Sequence, residues 1–147
     1  MMPAFSNQLR VLAWILLAGT GCNSPSEIRT EVWPDGTLKQ QVTVVDGEPI
    51  ELKTYDEAGR ISKSSTWKDG KPHGIWEAYY PDGSLWSRHL YHEGMQIGAY
   101  TTWHPNGQAF IVGQYDSLGS PTGTWRFFNE AGLLINETPG DSIHNPT

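Results

Sequence analysis

The chain has 147 residues, enough for one domain of ordinary size, with 10 Lys and Arg against 16 Asp and Glu and a net charge of −6. That balance excludes a polyanion-binding surface, and with it nucleic acid as a partner, because phosphate recognition demands clustered Lys and Arg. One Cys among 147 residues leaves no internal disulfide and no Cys-rich zinc site, while seven Trp, six Tyr and four Phe must carry much of the burial in a chain that is only 37% hydrophobic.

The first ten residues carry one basic side chain, Arg10, and are followed by an apolar run Val11-Leu-Ala-Trp-Ile-Leu-Leu-Ala18 and Gly19-Thr20-Gly21-Cys22. A basic start, a short apolar stretch and small residues are the layout of a secretory signal peptide, and the run is too short to cross a bilayer as a helix. Thr20-Gly21-Cys22 resembles the lipobox of bacterial lipoproteins, with Gly19 at the position that family usually fills with Leu. The resemblance implies that residues 1–21 are a signal peptide and that Cys22 is acylated, anchoring an exported protein to the cell envelope. Asn23, where an Asp would retain such proteins in the inner membrane, implies the outer membrane. Residues 22–30, with Ser24, Pro25 and Ser26, read as a polar tether.

From Val32 onward the punctuation is periodic. An aromatic residue precedes a turn at Trp33-Pro-Asp-Gly36, Tyr55-Asp-Glu-Ala-Gly59, Tyr80-Pro-Asp-Gly83, Trp103-His-Pro-Asn-Gly107 and Phe128-Asn-Glu-Ala-Gly132, the glycines spaced 23, 24, 24 and 25 apart. A second series, Asp46-Gly47, Asp69-Gly70, Glu93-Gly94 and Ser117-Leu-Gly119, interleaves with it. A third, Gly74-Ile-Trp76, Gly98-Ala-Tyr100 and Gly123-Thr-Trp125, is missing from the first full unit, as befits a capping repeat.

Two turns in about two dozen residues leave room for two strands of roughly six residues, so each unit is a β-hairpin. The expected fold is all-β: an array of about four antiparallel hairpins over residues 31–136, forming an extended twisted meander sheet, with residues 137–147 a disordered tail. Alternation predicts a core of Leu38, Ile61, Leu85, Ala109 and Leu134 on the same face as Val44, Trp67, Tyr91 and Tyr115.

The units Gly74-Ile-Trp-Glu-Ala-Tyr79, Asp82-Gly-Ser-Leu85 and Tyr91-His-Glu-Gly94, and their counterparts from Gly98 to Gly119, resemble the MORN-type repeats, in the bacterial variant often labelled antitoxin-like. The resemblance spans roughly Val32 to Leu134 and implies a repeat fold without naming a function. An exported lipoprotein cannot neutralise a cytoplasmic toxin, so the antitoxin role stands as a lesser alternative.

No catalytic set is expected. His89 and His92 are three apart and point to opposite faces of a strand, so they do not form a metal pair. The acids Asp35, Asp46, Asp56, Asp69, Asp82, Glu93 and Asp116 are turn formers first, and no cofactor is implied. The candidate partner-binding residues are Trp86 and Phe110, equivalent positions three past their turn glycines, on the face opposite Leu85 and Ala109. The expected function is a noncatalytic envelope scaffold holding a protein partner near the membrane; the alternative is a glycan or peptidoglycan binder that uses these two rings as platforms.

Overall fold

The computed structural model describes residues 26–143. The signal segment and Cys22 lie outside the described residues, as do residues 144–147. Ten strands follow one another: β1 (Ser26–Val32), β2 (Leu38–Val45), β3 (Glu48–Tyr55), β4 (Ile61–Lys68), β5 (Lys71–Tyr79), β6 (Leu85–His92), β7 (Met95–Trp103), β8 (Ala109–Tyr115), β9 (Pro121–Phe128) and β10 (Leu134–Pro139), then a single 3-10 turn, Gly140–Ser142. All ten form one antiparallel sheet whose spatial order is the chain order. The expected all-β meander is what the chain forms, with five hairpins rather than four.

Both boundaries of the expected repeat domain move outward. Ser26 to Thr30 are not tether but most of β1, where Ile28, Thr30 and Val32 alternate with Glu27, Arg29 and Glu31, and Ser26 to Glu31 pair in register with β2 before a shift at Val32. At the other end Glu137 to Pro139 continue β10, and the 3-10 turn brings Gly140 onto the backbone of Thr122, so close that a Cβ there would lie 2.6 Å from Thr122 Cα. The tail assignment therefore fails for residues 137–143. Pro and Gly there end a strand and seat its continuation against β9, rather than preventing order.

Two kinds of turn close the hairpins. Asp46-Gly47, Asp69-Gly70 and Glu93-Gly94 all have positive φ at both residues, the two-residue connection whose twist suits adjoining strands. The other six are longer: in each, a glycine N–H donates back three residues, as Gly83 does to the Tyr80 carbonyl at 2.9 Å, and in all but the turn at Asp116 an extra residue follows in the next strand. The turn at Asp116 belongs with this second kind, not with the two-residue series in which Ser117-Leu-Gly119 was expected. Asp116 Oδ1 accepts from the N–H groups of Leu118 and Ser120, as Asp56 Oδ1 does from those of Ala58 and Arg60.

Those extra residues also change the expected core. Ser87 lies opposite Ala78, but Leu85 lies opposite Tyr79, with Trp86 the extra residue between them. Ala78 and Tyr79 are neighbours on β5 and face opposite ways, so by register Leu85 and Tyr91 do not share a face. Leu134 also leaves the predicted column, because β10 is an edge, and it is 49% exposed. Val44 and Tyr115 are buried as expected, joined by Ala78, Trp125 and the small polar residues Ser65, Ser87 and Thr102.

The buried side is a slab of rings standing over small side chains. Trp76 packs between Trp67 and Tyr91, with ring centroids 5.1 and 4.8 Å away, and Tyr100, Tyr115 and Trp125 form a second cluster. Trp125 lies flat across Gly113, where an added Cβ would come within 2.3 Å of the indole. Equivalent turns are tied together along one margin of the sheet: Tyr80 Oη donates to the Trp103 carbonyl at 2.9 Å, His104 Nε2 lies 2.8 Å from the Phe128 carbonyl, and Asn106 Nδ2 donates to the Glu130 carbonyl.

Candidate functional site

The candidate site grows out of the strand register. On β4, β5 and β6 a row of small side chains, Ala78 and Ser87, runs beside a row of large ones, Trp76 and His89, which are themselves directly paired across strands. The step between small and large leaves a shallow concavity of about 200 Å³ floored by Ala78 and Ser87 and walled by Trp76, Tyr91, His89 and Trp86, with Lys63 at its side. Lys63 stands opposite Ala78, and its Nζ sits 5.8 Å from the Trp76 ring centroid.

The walls are held from behind. Trp76 Nε1 donates to the Thr66 carbonyl at 2.9 Å, and the Thr66 hydroxyl in turn bonds the His73 and Ile75 carbonyls, bracing the irregular stretch of β5 around Gly74. His89 Nδ1 is 3.0 Å from Gln96 Nε2, and its ring meets Tyr100 edge-on at 4.9 Å. Burial, with Lys63 adding to it, pushes the His89 pKa down, so the imidazole is neutral at pH 7. Glu77 also lines the concavity, but its carboxylate is engaged. Tyr79 Oη donates to it at 2.6 Å and Arg88 lies 2.6 Å away, which holds its pKa below the usual carboxylate range. Lys63 therefore provides the local positive charge that no carboxylate neutralises.

Of the two candidate partner-binding residues, Trp86 is 47% exposed and borders this concavity, whereas Phe110 is 36% exposed and packs on His104 with centroids 4.7 Å apart. Both are extra residues at equivalent bulges, on β6 and β8, with β7 between them. The structure does not bring the two rings together. It brings Trp86 beside Trp76, the ring of the Gly74-Ile-Trp76 repeat motif, and beside Lys63, which the sequence reading did not single out. The extra residue at Trp86 resets the alternation, and because the register of the partner strand sets it, no signal in the sequence marks this grouping.

The histidines and acids have local employment. His92 packs on His73 at 5.1 Å rather than approaching His89. Among the described residues no group of three or more His, Cys, Asp or Glu is placed to hold a metal ion. Asp35, Asp56 and Asp82 accept hydrogen bonds within their own turns, which holds their carboxyls below the usual range.

Fold and site together define an open array of β-hairpin repeats with one aromatic face. Residues 72–93 match the MORN repeat variant, so the chain carries a MORN-type repeat. That match takes in nearly all of β5 and β6, the strands on which most of the concavity is built. No curated protein matches the chain. Among solved structures it is similar to a chain in the crystal structure of the GtfA/B complex bound to UDP and GlcNAc, at 11% identity and a TM-score of 0.34, over 85% of this chain and 26% of that one.

Proposed function

We propose that this protein is a noncatalytic scaffold of the cell envelope, lipid-anchored through Cys22, that holds a protein partner by adding one of the partner's strands to its sheet. The observation that carries this reading is the open edge at β10. Among the described residues it pairs only with β9, and Leu134 and Ile135 on it are 49% and 61% exposed, with Leu133 before it at 64%. An edge strand offers a row of backbone donors and acceptors, and natural proteins usually guard such edges with charge. β1 is guarded in this way, with Glu27 and Arg29 in an ion pair and Glu31 bound by Lys39. The apolar start of β10 is the freer of the two edges. The envelope location rests on the apolar run Val11 to Ala18 and the small residues before Cys22.

Mass spectrometry of the mature N-terminus, combined with crosslinking in the native membrane, tests both the anchor and the edge. An acylated Cys22 is expected, together with a discrete crosslinked protein that disappears in the double variant Leu134→Lys, Ile135→Lys while circular dichroism is unchanged. An unmodified N-terminus overturns the anchor, and a crosslink indifferent to the two lysines overturns the edge.

A further inference from the structure

We propose that the concavity bounded by Lys63, Trp76, Trp86, Ser87 and His89 is a binding site for a single sugar ring that carries a carboxylate. Three features converge on that chemistry. First, the exposed indole of Trp86 borders a shallow floor of small side chains, with Trp76, itself packed between Trp67 and Tyr91, as a wall. The apolar faces of a pyranose stack on such rings, while its hydroxyl edge meets polar groups. At about 200 Å³ the space is smaller than the ~300–1,000 Å³ of sites for drug-sized ligands, which suits one ring and not an extended molecule.

Second, the charge at the site is positive, and among the described residues no carboxylate pairs with Lys63, whose Nζ stands over the Trp76 ring. Lys63 faces no carboxylate, Glu77 is bound by Arg88 and Tyr79, and His89 is neutral. An anionic group is therefore attracted here although the chain as a whole is acidic, and a quaternary ammonium, which aromatic cages otherwise favour, meets Lys63 already over the Trp76 ring.

Third, the site is inside the sheet. β5 and β6 are paired on both sides, so their backbone groups are occupied in the ladder and a peptide cannot add main-chain hydrogen bonds there. Recognition must come from side chains alone, which suits a compact ring better than a strand. Ser87 Oγ on the floor and the His89 ring on the wall supply hydrogen-bonding groups within the concavity.

The test is a tryptophan-fluorescence titration of the full chain with D-glucuronate, D-glucose and a short acidic peptide. Saturable quenching by glucuronate is expected at millimolar concentration, about tenfold weaker with glucose and in Lys63→Gln, and absent in Trp86→Ala. Leu118→Ala, an exposed residue in the turn between β8 and β9, binds as the parent does. Trp86 is exposed, so Trp86→Ala should keep the parent circular dichroism; should it not, Trp86→Leu, which keeps apolar bulk without the indole, takes its place and is likewise expected to abolish quenching. No saturable response to glucuronate, equal affinity for glucose, preference for the peptide, or binding that survives loss of the indole overturns the proposal.

Discussion

At the scale of single residues, Glu77 and Tyr79 form the most strongly perturbed pair in the described chain. They sit two apart on β5, on one face, and the phenol donates to the carboxylate at 2.6 Å. That hydrogen bond is the largest influence on both groups. It lowers the Glu77 pKa and, with burial and the adjacent negative charge adding to it, pushes the Tyr79 phenol up to about 12 from its ordinary 10.0. The signs differ for the two groups. Tyr79 contributes stability below pH 10 that is lost as pH rises through about 12, whereas Glu77 contributes stability above pH 4.5 that is lost as pH falls through its depressed value. Replacing Glu77 by Gln removes the charge that opposes phenolate. Tyr79 should then titrate near its ordinary value, read by NMR of ring-labelled tyrosine; a transition still near 12 would show that burial alone sets it.

At the scale of elements, the turns are where sequence and structure agree most closely, because their chemistry is local. Pro sets φ, Asp or Asn binds the backbone two residues on, and Gly takes the left-handed position, so each turn can be read without knowing its neighbours. Even the misassigned turn had its signal in view: Tyr115-Asp-Ser-Leu-Gly119 repeats the pattern of Tyr55-Asp-Glu-Ala-Gly59. The bulges were hidden for the opposite reason. Whether a strand carries an extra residue depends on its partner's register, and that decided which rings share a face with Trp86 and Lys63. Glu93 gives the element-scale prediction. It occupies the left-handed region at φ 50, as Asp46 and Asp69 do at φ 52 and 50 in the equivalent turns, and Asn and Asp are the side chains that tolerate this region best after Gly. Glu93→Asn should stabilise by about 1 kcal/mol, seen as a higher denaturation midpoint at unchanged slope. An unchanged or lower midpoint would mean that strain at this turn is already relieved.

At the scale of the whole molecule, stability is distributed along one dimension. Each strand packs against its neighbours in sequence, so the interior strands are supported from both sides and the edge strands from one. Amide exchange should therefore be slowest in β5 and β6 and progressively faster toward β1 and β10, in a protection profile that follows strand position and not residue type. Uniform protection across all ten strands would instead indicate a single cooperative unit. The repeat itself was legible because its period is written in Gly and Pro. The domain's true extent was not, since β1 and the end of β10 lack the repeat's punctuation and are ordered by pairing with strands already in place.

The meander order has a mechanical consequence. β1 and β10 stand at opposite margins of the sheet, and the chain enters by one and leaves by the other. A pull between the two ends acts across the strands, in line with the backbone hydrogen bonds, and loads the ladder as a zipper rather than in shear. Rungs then break in succession at modest force, and each released hairpin yields slack before the next begins to open. If one end is fixed to a membrane and the other to a moving partner, such a sheet behaves as a graded, reversible tether whose length grows in steps of one hairpin.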